Sequence, residues 1–233
     1  LATPTLIYCA AGNPRFAKIA IDAGFSYGAQ LPNTIYYRPQ FVDQNWETPN
    51  FERYMAALKQ YRPRLATVLD LEHWSQLARV TFWTVCAAQY LVPEIDRKTE
   101  EIREPAIIII PKAHGIIRFL PRVIPTKNGD IQVRLGYSVP TGFSGTDVFL
   151  SEFLGWPIHL LGGRPEKQLS LAHYLNVVSV DGNYAGMKAR RFCQYFDGKR
   201  WIPDGGKTKN NAHYKCFELS CANIMKMWKD NPC

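Results

Sequence analysis

The feature that most constrains this chain is the spacing of its short, almost uninterrupted apolar runs. Leu6–Ala10, Phe25–Gln30, Leu65–Leu71, Ala106–Pro111, Val133–Val139, Ile158–Leu161 and Val177–Val180 have strand length, and most lack apolar–polar alternation. Strands buried on both faces read this way, and they belong to parallel sheets covered by helices. The intervals between them carry helical patterns. Asn13–Ala23 opens with Asn-Pro, a cap followed by proline at the first helical position. In Asn50–Tyr61, Phe51, Tyr54, Leu58 and Tyr61 share one face. His73–Tyr90, Thr146–Leu154, Pro165–Leu175, Tyr184–Phe196 and His213–Lys229 complete the predicted helices.

A repeating strand–helix order predicts an α/β fold with a parallel sheet wrapped by helices. A closed (β/α)8 barrel of the TIM type is the first choice, and a doubly wound open sheet the second. Seven staves are visible. An eighth is expected between Leu31 and Phe41 or near Phe119–Ile124, which leaves room for an incomplete or irregular barrel. A length of 233 residues, 46% of them hydrophobic and 21% charged, suits one such barrel. Residues 1–233 are therefore read as a single domain, with 197–233 as a basic C-terminal loop and helix extension. Lys98–Glu104 reads as a charged connector and Asp204–Asn211 as a polar loop.

No apolar run approaches the roughly 20 residues of a membrane span, and the first residues lack the basic-then-apolar pattern of a secretory signal. A soluble, cytoplasmic protein is expected. Six cysteines in a chain this long are too sparse for a disulfide scaffold. Cys9 and Cys86 sit in apolar stretches and read as core residues. Zinc could draw on Cys193, Cys216, Cys221 and His213, but their spacing lacks a tight C-x-x-C knuckle, so no metal or other cofactor is expected.

The formal net charge of +8 points to a polyanionic partner, the alternative being a basic surface that serves only solubility. Lys188, Arg190, Arg191, Lys199, Arg200, Lys207 and Lys209 crowd the C-terminal third among Tyr184, Phe192, Tyr195, Phe196 and Trp201. Cations beside aromatics suit phosphate contact and base stacking. Lys188, Arg190, Arg191, Lys199 and Arg200 are the candidate nucleic-acid-binding residues.

Function in α/β barrels and open sheets gathers just past the carboxyl ends of the strands. That rule selects Cys9, Gly12 and Asn13 after the first run, Gln30 after the second, and Asp70, Glu72 and His73 after the third. Lys112 and His114 follow the fourth, Ser138 the fifth, Gly162, Gly163 and Arg164 the sixth, and Asp181, Gly182 and Asn183 the seventh. A carboxylate at such a strand end is costly unless paired or hydrogen-bonded. Asp70 and Asp181 are therefore either helix caps or working groups facing one cleft, where two carboxylates divide the labour of nucleophile and proton handler. Asp181 is followed by Gly-Asn, a context that admits close approach of a ligand and that capping does not need. His159 lies within a strand and reads as a core histidine; His114 is either a site residue or a loop residue.

Several of these segments, taken in order, resemble the tRNA-guanine transglycosylase superfamily, especially its short phage-borne relatives proposed to insert 7-deazaguanines into DNA. The carriers are His159-Leu160-Leu161-Gly162-Gly163-Arg164-Pro165-Glu166-Lys167-Gln168-Leu169 followed by Val178-Ser179-Val180-Asp181, with Leu135-Gly136-Tyr137-Ser138 and Ala66–Glu72 upstream. The resemblance covers about residues 65 to 195. It implies that Asp181 attacks C1′ of the sugar and displaces guanine, and that a 7-deazaguanine-type base then attacks in turn. It implies that Asp70 recognises the guanine edge and that amides around Gly136 and Tyr137 touch its carbonyl. Ser138, Gly162, Gly163, Glu72, Lys112, His114 and Asn183 complete the expected substrate contacts. The target nucleotide must first leave its stack. DNA is the expected partner, RNA the less favoured one, in a host cytoplasm if the chain is viral.

Two departures stand out. The superfamily's C-x-C-x-x-C zinc motif with a later histidine is absent. Its proton-handling aspartate on the second strand is also missing, since the local sequence is Ser26-Tyr27-Gly28-Ala29-Gln30. Asp70 or Glu72 would have to serve instead, or the reaction differs. The alternatives to base exchange are a barrel enzyme acting on a free nucleotide and a non-catalytic barrel that binds nucleic acid.

Overall fold

Parallel pairing runs without a break through β1 (Thr5–Ala10), β2 (Ser26–Gln30), β3 (Phe41–Asp43), β4 (Leu65–Leu71), β5 (Ala106–Pro111), β6 (Gly129–Ser138), β7 (Ile158–Leu161) and β8 (Val177–Gly182). β8 pairs back onto β1, with Ile7 opposite Asp181, and closes an eight-stranded α/β barrel of the TIM type. The computed structural model describes residues 3–10, 13–45, 47–95, 102–142, 145–204 and 211–231. Gly12, Lys207 and Lys209 lie outside the described residues, as does most of the 98–104 connector.

All seven predicted runs are staves. The eighth is β3, only three residues long, which begins where the first of the two expected intervals ends. The other candidate is not a stave: Val123–Thr126 pairs antiparallel with the start of β6, Thr126 opposite Gly129, and forms a hairpin on the barrel wall. Burial on both faces explains why the runs look continuous. Ile7, Phe41, Leu65, Ala106 and Ile108 fill the barrel, while Leu6, Val42, Ala66 and Ile107, their chain neighbours, face the helical layer.

Six helices follow. In α1 (Pro14–Asp22) the Asn13 side chain accepts the amides of Arg15 and Phe16 at 3.0 and 3.2 Å. α2 (Phe51–Tyr61) is capped by Asn50 and ends at Arg62 in the left-handed region. α3 (Leu77–Ala88) follows a 3-10 turn at Trp74–Gln76, and α4 (Pro165–Ala172) starts on proline. α5 (Tyr184–Phe192) stops short of Phe196, because Cys193 turns left-handed and Gln194–Phe196 pairs with Trp201–Pro203 in a hairpin. α6 (Ala212–Asp230) buries Cys216, Phe217 and Trp228 and belongs to the outer layer, with Phe217 against Phe16 and Tyr8 at 4.7 and 4.9 Å between ring centroids.

The expected helix Thr146–Leu154 does not form; only a 3-10 turn at Leu150–Phe153 does. The Thr146 hydroxyl donates to the Pro111 carbonyl and accepts the Val148 amide, both at 3.3 Å. Those bonds satisfy the backbone in a looped form and tie it to the end of β5.

Candidate active site at the carboxyl ends of the strands

Two irregularities in the sheet decide where the aspartates point. Along β4, Leu65 faces the interior, and strict alternation would next send Thr67 and Leu69 inward. A register shift against β5 between Thr67 and Asp70 inserts one residue, so Asp70 takes the inward place. The same device occurs in β8. Ile158 sits opposite Val177 but His159 opposite Ser179, and the extra residue turns Ser179 and Asp181 into the barrel. Bulges commonly re-aim side chains beside active sites.

Above the apolar floor these side chains open into a cavity of about 330 Å³, lined by Cys9, Gln30, Asp43, Gln44, Asp70, Lys112, Ser138, Gly162, Asp181 and Asn183 among others. Three carboxylates share it. Asp181 is buried, and its Oδ1 accepts the Gly162 amide at 3.1 Å. Asp70 pairs with Lys112 Nζ at 2.5 Å, and Lys112 also lies 3.8 Å from Glu72. Burial raises the Asp70 pKa, while the hydrogen bond and charge of Lys112 oppose that rise.

The third carboxylate, Asp43, went unread in the sequence. It ends β3, accepting Thr67 Oγ1 at 2.6 Å and Gln30 Nε2 at 3.1 Å. Burial, reinforced by repulsion from Asp181, pushes its pKa up to about 7. It is therefore the group of this cavity poised to gain or lose a proton near neutrality. Burial and the nearby Asp181 and Asp43 push the Cys9 thiol pKa well up, which disfavours the thiolate that nucleophilic attack requires.

The Asp43 pKa has a consequence for stability. The folded carboxyl binds a proton more tightly than the unfolded one, so the contribution of Asp43 to stability is fullest below about pH 4 and is lost as pH rises through about 7. Asp43→Asn removes that dependence. Its melting temperature relative to the parent is expected to be several degrees more favourable at pH 8 than at pH 5, measured by circular dichroism in matched buffers. A difference that does not vary with pH would contradict the raised pKa.

Of the expected substrate contacts, Lys112, Ser138, Gly162 and Asn183 line the cavity. Gly136 and Tyr137 do not. A side chain on Gly136 would collide with Ile110 and Leu161 at 2.7 Å, so this glycine serves interior packing. Tyr137 points outward against Phe153, with ring centroids 5.0 Å apart. Gly163, at φ +83°, backs onto Val139 outside the cavity. Gly162, at φ +62°, turns the chain so that its amide reaches Asp181. Gln168 then staples both turns, its Nε2 donating to the carbonyls of Gly162 and Asp181 at 2.7 and 2.8 Å.

Glu72 stands beside Lys112 at the rim. His114 is a loop residue, bonded through Nδ1 to Glu152 at 3.0 Å and packed on Phe149. His159 is buried as expected, but it touches the site from below: its Nε2 is 3.5 Å from Asp181 Oδ1.

Arg190, Arg191, Lys199 and Arg200 are exposed. Lys188 and Arg164 flank the Tyr184 ring, each 5.7 Å from its centroid, at the start of α5 beside Asn183. Lys199 and Arg200 sit at the hairpin turn, where their amides bind Asp197. The four residues considered for zinc are not assembled: Cys221 is in the core, His213 packs on Phe16 and Tyr214, and Cys216 faces Asp204 at 3.9 Å. Among the described residues no group of three or more His, Cys, Asp or Glu side chains is disposed to hold a metal ion. No helix of the described residues is long and apolar enough to cross a membrane.

A solved structure described as "Native KDPGal structure" shares the architecture, with a TM-score of 0.52 at 11% identity, covering 99% of this chain and 97% of that one. At that identity the likeness concerns the barrel alone. No curated protein matches the sequence. Residues 20–229 match a family described as "Family of unknown function (DUF6610)". With nearly the whole barrel inside that match, the chain belongs to this family.

Proposed function

We propose that the protein exchanges a base in nucleic acid, replacing guanine in DNA by a 7-deazaguanine through a covalent bond between Asp181 and the sugar. The observation that carries this reading is the convergence of Asp43, Asp70 and Asp181 in one cavity, in three different environments. Carboxylates whose surroundings set them apart are suited to separate acid, base and nucleophile roles.

Asp181 attacks C1′ and the glycosidic bond breaks, its electron pair passing to the departing base. Asp43, protonated as often as not near pH 7, supplies the proton that the base takes up. In the second half the incoming base attacks C1′, its ring N–H proton passes to Asp43, and the Asp181 carboxylate is regenerated. The proton-handling group missing from the second strand is thus supplied by the third. Asp70 and Lys112 present an acceptor beside a donor. The lactam edge of guanine, an N–H next to a C=O, matches that pair. Lys188, Arg190, Arg191, Lys199 and Arg200, with Tyr184 and Phe192, would receive phosphates and unstacked bases.

The test is incubation of the intact protein with DNA and a labelled 7-deazaguanine. Incorporation of label without strand cleavage is expected. Tight DNA binding with neither incorporation nor base release would replace this reading by a non-catalytic nucleic-acid-binding barrel, and turnover of free nucleotides alone by a nucleotide enzyme.

A further inference from the structure

Beneath Asp181 lies a buried polar chain that the steps above do not use. Arg134, on β6, reaches past β7 and donates from Nη1 to Ser179 Oγ at 3.0 Å. Ser179 Oγ is 2.9 Å from His159 Nδ1, and His159 Nε2 is 3.5 Å from Asp181 Oδ1. Ser179 and His159 are both 0% exposed. Among the described residues, His159 Nε2 makes no hydrogen bond of ordinary geometry, and the Asp181 carboxylate stands just beyond that range.

Counting hydrogens gives the chain a direction. A guanidinium only donates, so Ser179 Oγ accepts from Arg134. The single hydroxyl hydrogen of Ser179 is then free for His159 Nδ1, which places the hydrogen of a neutral imidazole on Nε2, aimed at Asp181. The opposite tautomer would set a bare Nε2 lone pair against a carboxylate oxygen. It would also take away the acceptor that the serine hydrogen needs, and both errors are costly in a dry interior. Burial pushes the Arg134 guanidinium down to about 9, still above neutrality, so it remains a cation.

We propose that Arg134, Ser179 and His159 form a positioning relay that fixes His159 as an Nε2–H donor to Asp181 Oδ1 and leaves Oδ2 as the attacking oxygen. Oδ1 already holds the Gly162 amide, and a second donor stops the carboxylate from turning. When Oδ2 bonds C1′, Oδ1 becomes the carbonyl oxygen of the ester. When the ester is displaced, negative charge returns to a carboxylate whose two donors are already in place. The catalytic part of this inference rests on the reading of Asp181 as nucleophile; the tautomer does not.

The chain has five histidines, so ring nitrogen-15 spectra are tractable, with His159→Gln assigning the signal. Wild-type protein is expected to show His159 protonated on Nε2 and bare on Nδ1, and Ser179→Ala to lose that preference. A proton on Nδ1 in wild-type protein overturns the relay. In the base-exchange assay, His159→Phe keeps a ring against Phe41, whose centroid lies 5.3 Å away. It is expected to lower kcat by about 10²-fold with KM little changed. His159→Gln, whose amide nitrogen can stand where Nε2 stands, should restore part of that loss. A folded His159→Phe with unchanged kcat removes the catalytic role. If wild-type protein shows the expected tautomer but no exchange of bases, the relay stands and the proposed function falls.

Discussion

Asp181→Ala is expected to lower incorporation of a labelled 7-deazaguanine into DNA by about 10⁴-fold or more, the scale seen when a covalent nucleophile is removed. The argument is geometric. β8 inserts a residue to turn Asp181 inward, Gly162 adopts a left-handed conformation to offer it an amide, and Gln168 pins the two turns that carry them. DNA binding should persist, because the basic residues of α5 and the following hairpin are untouched. A mass increment of one nucleotide-bearing strand on wild-type protein, absent from Asp181→Ala, would report the covalent intermediate directly. Incorporation by the variant at a wild-type rate would remove Asp181 from the chemistry.

The second large effect is on stability. Phe41→Ala is expected to cost about 3–5 kcal/mol, the usual range for deleting a fully buried aromatic ring. In a chain of this size that lowers the melting temperature by about 10 °C. Phe41 fills the barrel interior from its shortest stave and packs on His159, so removing its ring opens a cavity in the barrel floor. Phe41→Leu should recover most of the loss. Thermal unfolding followed by circular dichroism checks both variants, and a loss under about 1 kcal/mol for Phe41→Ala would mean that the floor is not packed as described.

Much of the barrel was legible because strands buried on both faces leave an unmistakable trace, and Asp181 and Asp70 stood at the ends of two such runs. Asp43 was not legible. Its stave contributes just Phe41 and Val42 ahead of it, too few residues to show a period. The one available signal was a shared ending, an apolar residue then aspartate, in Val42-Asp43, Leu69-Asp70 and Val180-Asp181. Gly136 does not line the cavity for the opposite reason: a glycine near a strand end looks like room for a ligand, and here Ile110 and Leu161 occupy that room. Thr146–Leu154 has helical spacing, but the bonds of the Thr146 hydroxyl to Pro111 and Val148 are tertiary facts that spacing does not contain. His159 was recognised as buried; its contact with Asp181 depends on the register between β7 and β8.

That register makes the chemistry of this barrel a matter of parity. The extra residue near Val178 sets whether odd- or even-numbered positions of β8 look into the cavity. Were the ladder regular, with His159 opposite Val178, the composition of the strand would be unchanged, yet Ser179 and Asp181 would turn toward the helices and Val180 inward. A chain that keeps every side chain named here is still mute if its last strand pairs without that bulge.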